Sequence, residues 1–256
     1  MSESESKKLN EVGSLLLETG NLLMCSGAST ARVRMTINRI SEALGYSTNL
    51  FITHRALMLT ISDANHEQFL SSLKRVAPHG ANFKVISGIS RMSWRIVEDK
   101  WTLNQIRNEI KRLADLPHYP RLIVLLVVGL AGASFCRLFG GNYIEMLITF
   151  VASFAGLFVR QVATLKHFNQ YLCVFFAAFT ASFIAGSLKK FGLYMELEHA
   201  FATSVLFLVP GIPLINTFSD IIDGNILNGV IRGVHGLMVA VAISLGMLTS
   251  ILIYHF

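Results

Sequence analysis

Charged residues are scarce in this chain of 256 residues. Asp, Glu, Lys and Arg make up 15% of it against 52% hydrophobic residues, with a mean hydropathy of +0.52. That balance excludes an ordinary soluble domain and reads as a membrane protein. Cysteine is scarce too. Cys25, Cys136 and Cys173 stand far apart, with no C-x-x-C pair or Cys/His cluster, so neither a disulfide framework nor a zinc site is expected and small buried thiols are. The eight histidines are dispersed, no two on one expected helical face, and no metal site follows from them. G-x-S-x-G, H-E-x-x-H and phosphate-cradling glycine loops are absent, so the chain is not expected to be an enzyme or an ATP-driven pump, and no catalytic residue or cofactor is indicated. Met1 to Lys8 is polar with no apolar run behind it; no cleavable signal peptide is expected, and insertion falls to later spans.

What charge there is lies unevenly. Residues 1–120 hold 15 of the 22 Lys+Arg and 11 of the 16 Asp+Glu, the composition of a water-facing domain. The basic residues are scattered, which suits a positive-inside bias and anionic lipid, not a nucleic-acid partner. Apolar steps of three and four predict amphipathic helices over Lys8 to Met24 and Thr30 to Leu44, the second ended by Gly45. Short Leu/Ile/Phe/Thr runs predict strands over Thr48 to Thr53 and Ala56 to Ser62. A short helix over His66 to Val76, a strand over Asn82 to Ile89 and a helix over Asp99 to Leu113 complete an α+β domain, residues 1–118.

Pro117-His118-Tyr119-Pro120-Arg121 marks the boundary to a transmembrane part, residues 119–256. Five spans of membrane-crossing length are expected: Leu122 to Phe139, Tyr143 to Gln161, Tyr171 to Phe191, Ala200 to Ile222 and Ile226 to Tyr254. With the N-terminal domain in the cytoplasm, Arg107, Lys111, Arg112, Arg121, Arg160, Lys166 and Arg232 lie inside, against Arg137, Lys189 and Lys190 outside. This asymmetry favours a cytoplasmic N-terminal domain and, with an odd span count, an external C-terminus at Tyr254-His255-Phe256.

The fourth span carries the strongest local signal. Pro210, Gly211 and Pro213 interrupt an apolar run, and each proline removes an N–H and crowds a carbonyl a turn back. Irregular backbone at membrane depth is tolerated only inside protein or beside a wet cavity, which is how discontinuous transporter helices form sites. Asn216, Asp220 and Asp223 follow at steps of four and three on one face. Asp220 reads as a relay for a proton or substrate, Asp223-Gly224 as a turn. In the second span Thr149, Ser153, Gly156 and Arg160 form a narrow polar stripe ending in a cation, which either lines a path or lets helices pack closely, with Arg160 snorkelling to headgroups. Gly229, Gly233, Gly236 and Ala240 read as a packing stripe in the fifth span.

These motifs coincide with a known pattern. The SGAST-x-RV segment at Ser26 to Val33, Tyr119-Pro120-Arg121, Phe135-Cys136-Arg137-Leu138 with Gly140-Gly141, Val159-Arg160-Gln161 and above all Leu208 to Asn216 (LVPGIPLIN) with Asp220 and Gly224 resemble the threonine/serine exporter family in its split, shorter form. The resemblance implies a cytoplasmic domain fused to five spans and secondary-active export of small polar metabolites across a bacterial inner membrane, driven by the proton gradient. Threonine and serine, the substrates it implies for the full-length form, are the first expectation for this chain, with succinate, implied for a split pair, as the alternative. Full-length relatives carry a second five-span half, which a chain ending at Phe256 lacks, so a separately encoded five-span partner subunit is expected. Two other readings stand beside the exporter: a membrane-anchored enzyme working through residues 1–120, and a regulatory subunit whose soluble domain gates a channel. A mere anchor gives no reason for a broken helix or polar stripes.

Overall fold

The computed structural model describes residues 3–63, 69–77, 80–117, 119–190 and 198–254. In chain order the elements are α1 (Glu3–Cys25), α2 (Thr30–Ala43), β1 (Ser47–Thr53), β2 (Ala56–Ser62), β3 (Phe69–Arg75), α3 (Phe83–Asp99), α4 (Leu103–Ala114), α5 (Arg121–Leu138), α6 (Tyr143–Leu165), α7 (Gln170–Lys190), α8 (Glu198–Thr203), a 3-10 turn (Leu206–Leu208), α9 (Gly211–Ile222) and α10 (Ile226–Tyr254). They form two compact units. The first joins Met1–Pro117 to Ile212–Gly233, the second His118–Gly211 to Val234–Phe256.

In the first unit an antiparallel sheet of order β1-β2-β3 pairs Leu50 with Leu59 and Leu59 with Ser72. Alternation sends Leu57, Leu59 and Ile61 of the middle strand into the core. There they join Leu16 and Leu23 of α1, Ile37 and Ile40 of α2, and Ile89, Met92 and Ile96 of α3. Gly20 lets α1 come close: a Cβ there would lie 2.4 Å from Leu57 Cδ2 and 2.7 Å from Ile37 Cδ1. Local chemistry sets the helix ends. Ser29 caps α2 by accepting the Arg32 N–H, Asn82 caps α3 by accepting that of Val85, and Gly45 leaves α2 at φ +82°, as expected of the glycine after its last turn.

Two expectations fail here. Phe69–Arg75 is a strand, not part of a helix from His66 to Val76; His66 to Gln68 lie outside the described residues. Phe69, Leu70 and Leu73 suit a helical turn locally, but pairing with β2 decides. Asn82 to Ile89, read as a strand for its Val and Ile, begins helix α3. Val85, Ile86, Ile89, Met92 and Ile96 make a buried helical stripe, and burial overrides the β preference of its branched residues. The helix expected over Asp99 to Leu113 starts four residues later, at Leu103, behind a capping box of Thr102 and Gln105.

In the second unit α5, α6 and α7 pack where small residues remove bulk. A Cβ on Gly132 of α5 would lie 2.5 Å from Ser153 Oγ of α6, and one on Gly156 of α6 would lie 2.9 Å from the Ala177 carbonyl of α7. A Cβ on Gly246 of α10 would lie 2.7 Å from the Phe175 carbonyl of α7. Outward faces are apolar, with Leu122, Leu126 and Leu130 on α5 and Leu237, Leu245 and Leu252 on α10 exposed, as hydrocarbon solvent requires. Among the described residues four helices are long and apolar enough to cross a membrane, α5, α6, the Gln170–Ser187 part of α7, and α10. The number is five if Glu198–Leu208 and α9 together make one broken span.

Candidate functional site: a buried polar cluster around Asp220

The helical path stops at Val209-Pro210, where the Gly211 N–H reaches back to the Val209 carbonyl at 2.8 Å. It resumes at Gly211. Pro213 therefore sits in the first turn of α9, where a missing N–H has no intrahelical partner to lose, so it starts a helix and does not break one. Gly211 has open space where a Cβ would stand. The break belongs to Pro210.

From α9 two side chains reach the loop between α1 and α2. Asn216 Nδ2 donates to the Gly27 carbonyl at 3.0 Å, and Asp220 Oδ1 accepts the Thr30 N–H at 2.9 Å. Thr30 is the first residue of α2, so the carboxylate meets the unpaired N–H groups and positive dipole end of that helix. After the Asp223-Gly224 turn, with Gly224 at φ +77°, α10 adds two more residues. Arg232 Nη2 donates to the Ala28 carbonyl at 3.1 Å, while its Nε stands 3.3 Å from Asp220 Oδ2. The latter contact is not aligned as a hydrogen bond, so the pair is held by charge. Asn228 Nδ2 donates to the Ile52 carbonyl at 2.8 Å and to Thr30 Oγ1 at 3.3 Å. Arg34 Nη2 donates to Asn225 Oδ1 at 3.1 Å. Asp220 is 0% exposed and the Arg232 side chain 11%. A charge so buried persists only when paired.

Sequence reasoning found Asn216 and Asp220 by their shared face. It missed Thr30 and Arg232, which meet Asp220, and Asn228, which meets Thr30. Asn228 and Arg232 are four apart on α10, a signal equal to that of Asn216 and Asp220; Thr30 offers a backbone group, which no sequence pattern marks. Gly229 and Gly233 complete the seat, since a Cβ on either would press on Thr217 of α9, at 2.9 Å from its carbonyl and 3.2 Å from its Cγ2. They serve packing, as expected.

Thr149, Ser153 and Arg160 lie on α6 in the second unit. Thr149 Oγ1 donates to the Glu145 carbonyl at 2.8 Å and faces Thr203 Oγ1 at 3.5 Å; Ser153 Oγ donates to the Ser204 carbonyl at 3.1 Å. Both hydroxyls are fully buried and tie α6 to the stretch leading into the break. Arg160 is half-buried, and among the described residues no carboxylate pairs with it.

The family model described as "Putative threonine/serine exporter" matches residues 14–254. The chain is 30% identical over 255 residues to the "Probable succinate transporter subunit YjjP" of Escherichia coli K12, covering 98% of this chain and 97% of that one. It is 28% identical to the protein of the same description from Klebsiella aerogenes, covering 97% and 96%. With the "Threonine/serine exporter" of Corynebacterium glutamicum it shares 23% over 83% of this chain but 45% of that protein. No solved structure matches. The chain belongs to the threonine/serine exporter family, a family of membrane exporters.

Proposed function

We propose that this chain is one subunit of a secondary-active exporter of small carboxylate-bearing metabolites, a C4-dicarboxylate of the succinate type first. The observation that carries it is the break at Pro210 followed by a fully buried Asp220 paired with the largely buried Arg232 on helices of otherwise apolar composition. Such groups are retained near membrane helices for a pathway or its control. Support for a dicarboxylate is the end-to-end match to a subunit named for succinate transport. A threonine- or serine-type amino acid is the second reading, favoured by the family description and by the longer exporter. In either case Arg160, Ser153 and Thr149 on α6 with Pro210, Gly211, Pro213, Asn216 and Asp220 are the proposed pathway residues.

A separately encoded membrane subunit of about five spans is the proposed partner, since the relatives matched end to end are named as subunits. The chain is placed in a bacterial inner membrane with residues 1–118 as a cytoplasmic domain and 119–256 as five spans. The exposed face of α9, with Ile215, Phe218 and Ile222, suits lipid and favours counting it with Glu198–Leu208 as one broken span.

Efflux from preloaded cells expressing this chain alone, or with its partner subunit, tests the proposal with labelled succinate, threonine and serine in parallel. Succinate efflux only when both chains are present is expected. Amino-acid efflux under the same condition selects the second reading, and no efflux of any of the three, with both chains inserted, rules out the exporter.

A further inference from the structure

The polar stripe of α6 extends one step beyond Thr149, to Glu145, which no part of the proposal above uses. Glu145 is 3% exposed. One of its oxygens serves the helix end, since Oε2 accepts the Asn142 N–H at 2.9 Å and closes a capping box at the start of α6. A cap needs no more than that. The second oxygen, Oε1, is buried with no hydrogen bond and stands 3.4 Å from His199 Nδ1 of α8. An ionised carboxylate oxygen buried without a hydrogen bond is costly.

The imidazole also spans two environments. The His199 side chain is 45% exposed while Glu145 is closed off, and a Cβ on Gly140, at φ +100°, would lie 3.6 Å from its Nε2. Behind the pair run the hydroxyls of Thr149 and Thr203, with Thr203 donating to the His199 carbonyl. The other titratable or charged groups on flanking elements are few. Arg137 at the end of α5 donates to the Gly141 carbonyl at 3.2 Å, Cys136 is buried beside Gly141, Tyr143 opens α6 and Glu198 precedes His199. The described side chains of α7, up to Ser187, include no charge.

We infer that Glu145 and His199 form a proton-binding site through which export is coupled to proton movement. The inference rests on the exporter reading. A proton taken up by the exposed imidazole passes across the Nδ1 to Oε1 contact: the N–H bond breaks, the O–H bond forms, and the carboxylate becomes neutral while the imidazolium loses its charge. Release reverses the step and leaves the carboxylate ionised, so the pair is neutral with its proton and carries one negative charge without it. Asp220 is the wrong group for this cycle, because its oxygens face the Thr30 N–H and the Arg232 guanidinium.

Everted membrane vesicles containing this chain and its partner subunit test the inference, with labelled succinate and threonine as probes. Two readouts are compared: exchange of labelled for unlabelled substrate without a pH gradient, and net accumulation driven by an imposed gradient. Exchange needs no net proton movement. Glu145→Gln is expected to keep exchange within about threefold of wild type while gradient-driven accumulation falls at least about tenfold; Glu145→Asp should restore part of it. His199→Gln should shift the pH profile of accumulation more than its maximum. Accumulation by Glu145→Gln at the wild-type level overturns the inference, as does equal loss of both readouts in Glu145→Gln and Glu145→Asp at normal protein level. Wild-type vesicles that exchange but ignore the gradient overturn it alone. Wild-type vesicles that do neither with either probe overturn the exporter reading with it.

Discussion

At the scale of single residues, the Asp220–Arg232 pair makes the sharpest statement. Asp220→Asn leaves a buried guanidinium facing a neutral amide, and breaking such a pair is expected to cost roughly 3 kcal/mol. The check is the melting temperature of the detergent-purified chain, which should fall clearly for Asp220→Asn and recover substantially in Asp220→Asn/Arg232→Met, where the stranded charge is also removed. A double variant no better than the single one would mean the pair is not coupled. Cys25 gives a second test at this scale. Burial pushes its thiol above the ordinary range, against smaller opposing effects of a backbone hydrogen bond at Ala77 and of the Lys74 charge. The thiolate is the reactive form, so maleimide labelling of Cys25 in the folded protein should be slow at neutral pH and gain speed only in alkaline buffer. Fast labelling at pH 7 would contradict the burial.

The same residues show what a sequence reveals of a site. Asn216 and Asp220 were legible because two polar groups four apart on an apolar helix need an explanation. Their partners were not, because the Thr30 N–H that binds Asp220 is 190 positions away and is a backbone group. Glu145 was within reach: the period that links Ser153 to Thr149 points to it directly.

At the scale of elements, boundaries held where local chemistry sets them and failed where distant pairing does. The ends of α2, the hairpin of β1 and β2 and the turn at Gly224 follow from caps and glycines. The strand β3 and the helix α3 were exchanged for each other's type, since seven residues of edge strand and a Val/Ile-rich first turn carry weak preferences that β2 pairing and core burial overrule. Helix contacts give the prediction here. A Cβ on Gly246 would meet main-chain atoms of α7, the Phe175 carbonyl at 2.7 Å and the Phe179 nitrogen at 2.8 Å, which cannot swing aside as a side chain would. Gly246→Val should force α10 away from α7 at a cost of about 1–3 kcal/mol, seen as a lower melting temperature, while Gly211→Ala, in open space, should leave it within error. Equal effects of the two substitutions would contradict the packing.

At the scale of the whole molecule, the uneven charge announced an α+β part followed by apolar helices, and the elements follow that order. Composition did not announce that Ile212–Gly233 would form one compact unit with Met1–Pro117, because the hydrogen bonds responsible join side chains of α9 and α10 to loop carbonyls. Substituting Asn216→Ala removes one such tie without stranding a charge. Export by the two-chain complex should slow severalfold at unchanged protein level, read as initial efflux rate, and a wild-type rate would show that the tie does not serve transport.

The most direct test of the central claim is counterflow in proteoliposomes made with the purified two-chain complex. Vesicles loaded with unlabelled succinate should transiently concentrate labelled succinate from outside, and vesicles holding either chain alone should not. Labelled succinate, threonine and serine entering no faster than into protein-free liposomes, each tested against its own unlabelled load, would contradict the account.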